Sequence, residues 1–403
     1  MLHSKISIAL SALALTPFAL STPAPSPPSQ SSTTYPDFVH PSNGDCKDYL
    51  VNSTVTWPQL QWNQTNYKNN YEVVSLLAKI GEQGKVSFNP FSGSKNVIKT
   101  FQTGGTFCKP KVLKAGKEDT VLVATHGAGF DRRYWASSYK PETYNFAQYA
   151  LDAGYSIFYY DRLGVGLSSR ISGYEVEAGP QIELLASLLR SLRKGQYTAG
   201  VKASKLVLIG HSFGSAISNN VLGLYPELAD AAILTGYAFP SKEDPAFYTS
   251  GLGLSVFGSR IVSTLPASSK PQFAASFDDG WLSFVDKYAF TESFLGGEDY
   301  EVPAAEYSFK IAQPYSGVDF LSAFAQMTAA DKFEGKVLLA PAERDLFFCA
   351  GDCKDTFARG LQGSLFPNTK PEVYFQQGSG HGQNFALNAR DMYGEVVRFV
   401  DSL

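Results

Sequence analysis

The sequence predicts an α/β fold in which helices cover both faces of a mostly parallel sheet. Two observations predict this: short apolar runs rich in β-branched and aromatic residues recur along the chain, and segments with helical periodicity separate them. The predicted strands are 121–125, 155–160, 205–209, 231–235, 336–340 and 371–376. The predicted helices are 142–153, 181–194, 215–224 and 384–402. In such a fold, ligands bind at the carboxyl ends of the parallel strands.

The region before these strands, from about residue 70 to 113, has a different pattern. Its apolar runs are short and are broken by Gly, Asn and Pro, as in 71–80 and 97–101. This pattern predicts antiparallel strands at an edge of the sheet.

The stretch 239–327 also departs from the alternation, since it is rich in Phe, Tyr and Trp. Its Gly and Pro residues favour several short helices over a run of strands. We interpret it as a cap inserted over the strand ends, with a satellite helical subdomain as the alternative. The core domain would then comprise 42–238 and 328–403.

Composition limits the possible functions. The 403 residues carry 34 basic and 37 acidic side chains, a net charge of −3, which argues against nucleic-acid binding. No apolar stretch reaches the 18 or more residues of a transmembrane helix. Five His and four Cys are too few for an elaborate metal centre, so we expect no metal.

The N-terminus predicts export. Lys5 precedes an apolar run, 6–20, that is too short to span a bilayer, and Ala19 and Ser21 supply the small residues of a cleavage site. A buried first helix is the alternative, but Pro17 disfavours it. We therefore expect a signal peptide at 1–21 and a secreted, extracellular protein. A linker rich in Ser, Thr and Pro follows at 22–41.

Two N-glycosylation acceptor sequences follow this linker. They begin at Asn52, in Asn-Ser-Thr, and at Asn63, in Asn-Gln-Thr. Each is a weak signal alone, but both agree with secretion.

The four cysteines permit three disulfide pairings in an oxidising compartment. We favour Cys46–Cys108 and Cys349–Cys353, because the second pair closes a short local loop. A metal clip at Cys349 and Cys353 is the alternative, but no suitably spaced His or carboxylate supports it.

Residues 210–214 read Gly-His-Ser-Phe-Gly and lie directly between a predicted strand and a predicted helix. This is the context of a G-x-S-x-G nucleophile elbow, so Ser212 is the candidate nucleophile. Gly210 and Gly214 are expected because a Cβ at either position would collide with the tight turn. The start of the helix would favour negative charge developing near Ser212.

A serine nucleophile needs a base, and elimination among five histidines identifies one. His3 and His40 lie in the predicted signal peptide and linker. His126 lies in a glycine loop, and the ring of His211 should point away from the nucleophile. His381, in a glycine-rich loop after the last predicted strand, remains as the base.

The acid should lie between the nucleophile and the base in the chain. Asp345 follows strand 336–340 directly and is the preferred candidate, with Glu343 and Asp352 as competitors. It would fix the tautomer of His381 and stabilise the imidazolium. A bonded Cys349–Cys353 pair would stiffen the loop that carries this acid.

An oxyanion hole would need two backbone N–H groups. Phe213, which follows the nucleophile, would supply one of them. The other is expected from the loop His-Gly-Ala-Gly-Phe at 126–130, with Ala128 first and Gly129 second. An ordinary strand-end turn is the alternative for that loop. The glycines of 161–168 complete no phosphate-binding pattern, so this segment is interpreted as a structural turn.

From about residue 70 to 403 the chain resembles the α/β-hydrolase superfamily, in particular esterase-like and lipase-like members with an HG-x-x oxyanion loop. The motifs that carry the resemblance are HGAGF at 126–130, DRLGVGLS at 161–168, GHSFG at 210–214, and the Asp345 and His381 loops. It implies a mostly parallel eight-stranded sheet, a cap between strands six and seven, a triad of Ser212, Asp345 and His381, and no cofactor. The arginine of the second motif is displaced to Arg162.

These residues predict a secreted serine hydrolase that cleaves a carboxylic ester of a small hydrophobic substrate. The aromatic content of 239–327 favours an apolar substrate. The same triad could act on a thioester, lactone, amide or carbon–carbon bond, or transfer a captured acyl group in a biosynthetic cyclisation. A non-catalytic ligand-binding descendant is a further alternative. The sequence leaves the oligomeric state open.

Overall fold

The computed structural model describes residues 38–81, 89–239, 258–271, 274–296, 299–326, 328–359 and 362–403. The predicted signal peptide (1–21), most of the predicted linker (22–37) and part of the predicted cap (240–257) lie outside the described residues. The last residues of the predicted linker contact the core, since the ring centroids of Phe38 and Tyr159 are 6.2 Å apart.

The main sheet contains eight strands, which are β1 (Gly44–Trp62), β2 (Phe91–Pro110), β3 (Thr120–Thr125), β4 (Ser156–Tyr160), β5 (Lys205–His211), β6 (Ala231–Thr235), β10 (Lys336–Ala340) and β11 (Glu372–Val373). Their order across the sheet is β1-β2-β4-β3-β5-β6-β10-β11. Strands β3 to β6, β10 and β11 are parallel, whereas β1 and β2 form an antiparallel edge. Every residue of β3, β4 and β6 is buried. Because successive side chains point to opposite faces, both faces of the sheet are covered.

The described helices alternate with the parallel strands as predicted. They are α1 (Asn70–Gly81), α2 (Pro141–Tyr144), α3 (Phe146–Asp152), α4 (Ala178–Arg193), α5 (Phe213–Leu224), α6 (Lys287–Leu295), α7 (Val302–Lys310), α8 (Gly317–Ala325), α9 (Leu346–Cys349), α10 (Cys353–Arg359), α11 (Gln362–Leu365) and α12 (Ala389–Asp401). The predicted helix 142–153 is divided into α2 and α3 at Asn145, whose side chain accepts a hydrogen bond from Gln148 N (2.8 Å) and caps α3. No helix within the described ranges is long and apolar enough to cross a membrane.

The prediction of a strand at 71–80 is wrong, because this segment is helix α1. Its buried residues include Val73 and Leu76, three positions apart, while Tyr71 and Val74 are exposed. That spacing is helical, and Asn69 Oδ1 accepts a hydrogen bond from Tyr71 N (2.9 Å) at the start of the helix.

The edge hairpin of β1 and β2 is longer than the sequence indicated. The predicted strand 97–101 lies within β2, whereas β1 was not predicted. Cys46 and Cys108 are directly opposite each other in the register and form a disulfide. Only residues 105–108 of β2 pair with β4, so the rest of the hairpin extends beyond the parallel sheet.

The described part of the predicted cap contains helices α6 to α8 and also a separate antiparallel sheet. Its strands, in the order β7-β8-β9, are β7 (Ser259–Ile261), β8 (Trp281–Phe284) and β9 (Tyr315–Ser316). The described part therefore has the short helices that the sequence favoured, together with short strands that were not expected. These strands have two to four residues each, too short to show an alternating pattern in the sequence.

Candidate active site

Ser212 lies in a tight turn between β5 and α5. Its backbone has φ 53° and ψ −120°, a sparsely populated conformation for a residue with a side chain. A Cβ at Gly214 would lie 2.1 Å from Thr125 O, and a Cβ at Gly210 would lie 2.5 Å from Ser215 Cα. The two glycines are therefore required by the close approach of neighbouring backbone. Ser212 itself is 8% exposed.

His381 and Asp345 form a buried hydrogen bond, with 2.6 Å between Nδ1 and Oδ2. The other carboxylate oxygen of Asp345 accepts hydrogen bonds from the N–H groups of Phe347 (2.8 Å) and Phe348 (3.0 Å). These bonds hold the carboxylate at the start of α9. Because Nδ1 of His381 donates to Asp345, Nε2 is left to accept a proton.

The two competing carboxylates have other partners. Glu343 accepts a hydrogen bond from Gly378 N (2.7 Å), in the loop before His381, and pairs with Lys354. Asp352 accepts a hydrogen bond from Asp355 N (3.0 Å). Of the three carboxylates weighed from the sequence, Asp345 is the one bonded to His381. Its catalytic role stays a prediction.

The loop carrying Asp345 is followed by the second disulfide, Cys349–Cys353, which joins α9 to α10. Both disulfides therefore have the pairing favoured from the sequence. Cys353 N also donates a hydrogen bond to Glu343 O (3.0 Å), so the cross-link and a backbone bond fix the same loop.

The loop after β3 lies beside the nucleophile. A Cβ at Gly127 would come within 2.9 Å of Ser212 Cβ. Phe213 is the first residue of α5, so its N–H has no acceptor within the helix. Gly129 has φ +77°, and its carbonyl accepts a hydrogen bond from Gln313 N (2.8 Å). Both predicted oxyanion segments thus flank Ser212, and the choice between Ala128 and Gly129 stays a prediction.

His126, at the start of this loop, has a structural set of contacts. Its Nε2 accepts a hydrogen bond from Arg162 N (2.9 Å), and its Nδ1 donates to Gly127 O (2.8 Å). Burial, with the Arg162 charge in second place, lowers the pKa of His126 to about 3. The ring is therefore neutral and holds the first turn of the loop.

His211 is closer to the site than the sequence indicated. Its ring stacks on Tyr134, with 4.3 Å between centroids, and its Nδ1 lies 3.2 Å from Thr235 Oγ1. Its ring centroid is also 4.9 Å from that of His381. Burial, and then the neighbouring His381, lower the pKa of His211 well below its ordinary value. Because His211 precedes Ser212, this contact brings the elbow and the His381 loop side by side.

Phe294, in helix α6, packs over the site from the predicted cap. Its ring centroid is 5.5 Å from that of His381 and 5.0 Å from that of Phe130. Its ring atoms would be 3.3 Å from a Cβ at Gly129. No motif marks Phe294, which the sequence shows only as one of many aromatic residues.

The remaining predicted site residues lie away from this centre. Asn52, in β1, and Asn63, just after it, are both exposed, as an acceptor for a glycan must be. No group of three or more His, Cys, Asp or Glu within the described parts of the chain could hold a metal ion.

A model of the alpha/beta hydrolase family matches residues 121–398, which include the elbow, the loop after β3 and the Asp345 and His381 loops. The chain belongs to the alpha/beta hydrolase family. No curated protein matches this hydrolase at a significant level.

Several solved structures are similar to this hydrolase. An esterase from Thermogutta terrifontis is 15% identical, with 75% of this chain and 94% of that chain covered and a TM-score of 0.49. A methylesterase from Arabidopsis is 17% identical, with 70% and 100% covered and a TM-score of 0.48. A monoacylglycerol lipase from Paleococcus ferrophilus is 18% identical, with 71% and 95% covered and a TM-score of 0.43.

Proposed function

We propose that this protein is a secreted serine hydrolase that cleaves a carboxylic ester of a small hydrophobic substrate through an acyl-enzyme. The 2.6 Å bond between Asp345 and His381 carries the proposal. It orients the imidazole of His381, whose neighbour His211 belongs to the elbow of Ser212. An oriented base beside an elbow serine is the arrangement that activates a hydroxyl for attack.

In the first half of the reaction, Ser212 Oγ attacks the ester carbonyl carbon and its proton passes to His381 Nε2. Asp345 stabilises the resulting imidazolium. The carbonyl oxygen becomes negative and accepts hydrogen bonds from Phe213 N–H and from Ala128 or Gly129 N–H. The alcohol leaves with the proton from His381, and the acyl group stays on Ser212.

In the second half, water replaces the alcohol. His381 takes a proton from the water as its oxygen attacks the acyl carbon, and the same donors stabilise the second oxyanion. When the bond to Ser212 breaks, the proton returns to Oγ and the carboxylic acid is released. Every proton moves through His381, so the cycle needs no other titrating group.

The aromatic surroundings of His381 support a hydrophobic substrate. The ring centroids of Phe347 and Phe348 lie 4.5 and 5.8 Å from that of His381. The ring of Phe294 contacts the same imidazole, with 5.5 Å between centroids. Such surroundings stabilise an apolar group next to the ester and disfavour a charged one, which would lose its hydration.

Export is supported by the N-terminal sequence and by the use of every cysteine. All four form disulfides, as is usual in oxidising compartments and rare in a reducing cytosol.

Covalent labelling tests the proposed chemistry. Protein purified from culture medium is treated with a fluorophosphonate probe, and hydrolysis of a series of p-nitrophenyl esters is measured in parallel. We expect wild-type protein to be labelled and active, and Ser212→Ala and His381→Ala to lose both properties. Ser218→Ala is the matched control, because Ser218 is buried in helix α5, which begins directly after Ser212, and its hydroxyl has no hydrogen-bond partner among the described residues.

Labelling that survives Ser212→Ala would contradict the nucleophile assignment. Folded wild-type protein that is neither labelled nor active on any ester would contradict the proposed activity. Retention of the protein inside the producing cells would contradict the proposed export.

A further inference from the structure

Arg162 touches both segments that are predicted to supply oxyanion donors. It lies two residues after the end of β4, and its backbone N–H donates the hydrogen bond that holds His126 at the start of the loop 126–130. Its guanidinium carbon lies 4.2 Å from the ring centroid of Phe213, the first residue of α5. The sequence indicated only a structural turn here, so this double contact was not predicted.

Few contacts determine where the Arg162 side chain lies. Its Nη2 donates to Asp319 Oδ2 (2.8 Å), whereas Nε and Nη1 are buried and have no hydrogen-bond partner among the described residues. The ion pair with Asp319 and the stacking on Phe213 therefore orient the guanidinium. A guanidinium over an aromatic face is a directional contact, so displacement of one group shifts the other.

Asp319 is itself fixed from helix α8, in the predicted cap. Its second oxygen accepts a hydrogen bond from Gln181 Nε2 (2.5 Å), and its backbone N–H donates to Ser316 Oγ (3.2 Å). The side chains of Arg162 and Asp319 are only 5% and 4% exposed. Because burial removes competing water, the geometry of this pair is tightly held.

We propose that Arg162, anchored by Asp319, is a positioning residue that fixes both oxyanion segments relative to Ser212. The proposal rests on the serine-hydrolase function proposed above. In the reaction, Arg162 touches neither the substrate nor the reacting atoms. It acts through the ring of Phe213 on one side and through His126 on the other. Helix α8 thereby contributes to the rate of the chemical step through Asp319.

A double variant separates positioning from simple structural support. Arg162→Met or Asp319→Leu alone leaves one buried charge without its partner, whereas Arg162→Met/Asp319→Leu removes both charges. If the pair were merely structural, the double variant would regain both stability and activity. If it positions the oxyanion donors, the double variant is folded but slow.

We expect the double variant to have kcat lowered about 10- to 100-fold with KM within about twofold, a smaller loss than removal of an oxyanion donor. Its inhibition constant for a trifluoromethyl ketone, which forms a tetrahedral adduct with an active serine, should rise by a similar factor. Arg162→Lys keeps the charge but loses the planar stacking and should have an intermediate kcat. Arg398→Met/Glu372→Leu, which removes a partly exposed ion pair between α12 and β11, is the control for the loss of two charges and should keep the wild-type kcat.

The outcomes distinguish this inference from the proposed function. Wild-type protein without esterase activity or fluorophosphonate labelling overturns both. An active wild type combined with a folded double variant of wild-type kcat and inhibitor affinity overturns the positioning role alone. If the double variant does not fold, Arg162→Lys decides the matter, since a wild-type kcat and inhibitor affinity for that variant also overturn the positioning role.

Discussion

The strand-end region around Ser212 and the segment 258–326 contribute to the same site in different ways. The first is formed by backbone that permits little variation, such as the turn at Ser212 and the glycines on either side of it. The second contributes through individual side chains, such as Phe294 and Asp319, whose contacts are far away in the sequence. Local backbone constraints leave motifs in a sequence, whereas single long-range contacts do not. Residues of the strand-end region are therefore expected to perform the chemistry, and residues of the segment 258–326 are expected to change its rate.

The substitution with the largest expected effect is in the strand-end region. Asp345→Asn should lower kcat by about 10⁴-fold, because an amide no longer fixes the required tautomer of His381 or stabilises the imidazolium. The measurement is hydrolysis of p-nitrophenyl butyrate under saturating conditions. Asp352→Asn is the control and should stay close to wild type. A loss below tenfold for Asp345→Asn would contradict the assignment of the acid.

The substitution with the next largest effect tests the need for a glycine in the turn at Ser212. Gly214→Ala should lower the free energy of unfolding by about 3 kcal/mol, because the new Cβ would lie 2.1 Å from Thr125 O. Chemical denaturation measures the change. Gly363→Ala is the control, since a Cβ there meets nothing within 4 Å. Equal stability of the two variants would show that the elbow can relax.

The accuracy of sequence-based prediction follows the same division. The elbow and the parallel strands were predicted because buried strands are continuous apolar runs and the turn requires specific glycines. Helix α1 was predicted as a strand because apolar composition was given more weight than the three-residue spacing of Val73 and Leu76. Strand β1 was missed although buried Val51, Val55 and Trp57 lie at spacings of two and four. The contacts of Asp319 and Phe294 depend on the folded chain and could not be predicted.

A smaller effect concerns Glu177, where the hairpin meets helix α4. Its carboxylate accepts a hydrogen bond from Trp57 Nε1 (2.7 Å), yet burial raises its pKa from an ordinary value of 4.5 to about 7. Between these values the native protein holds a proton that the unfolded chain has lost, so stability falls as pH rises. We expect a loss of about 2 kcal/mol in unfolding free energy from pH 5 to pH 8.

Chemical denaturation at a series of pH values measures this loss. Glu177→Gln keeps an acceptor for Trp57 but cannot titrate, so the difference between wild type and variant isolates Glu177. The same pH slope in both proteins would assign the dependence to other groups.

The substitution with the smallest expected effect is in the segment 258–326. Phe294→Leu should lower kcat/KM by about tenfold or less, the range expected for a modest change in an apolar contact. We would measure kcat/KM of wild type and variant on a short and on a long p-nitrophenyl ester. Tyr288→Leu in the same helix α6 is the control, because Tyr288 is 72% exposed. If Phe294→Leu abolished activity on every ester, Phe294 would be required for the chemistry itself, as the residues of the strand-end region are expected to be.

The Cys46–Cys108 bond determines which part of the chain loses most stability in a reducing cell. This bond joins residues at a sequence separation of 62 and, by reducing the entropy of the unfolded chain, stabilises the fold by about 4 kcal/mol. The Cys349–Cys353 bond, at a separation of four, contributes about 2 kcal/mol. The hairpin joins β4 through only four residue pairs. Recombinant expression in a reducing cytosol would therefore loosen β1 and β2 first and uncover the edge of β4. An uncovered strand edge pairs with other chains, so aggregation is the expected fate of material produced in that way.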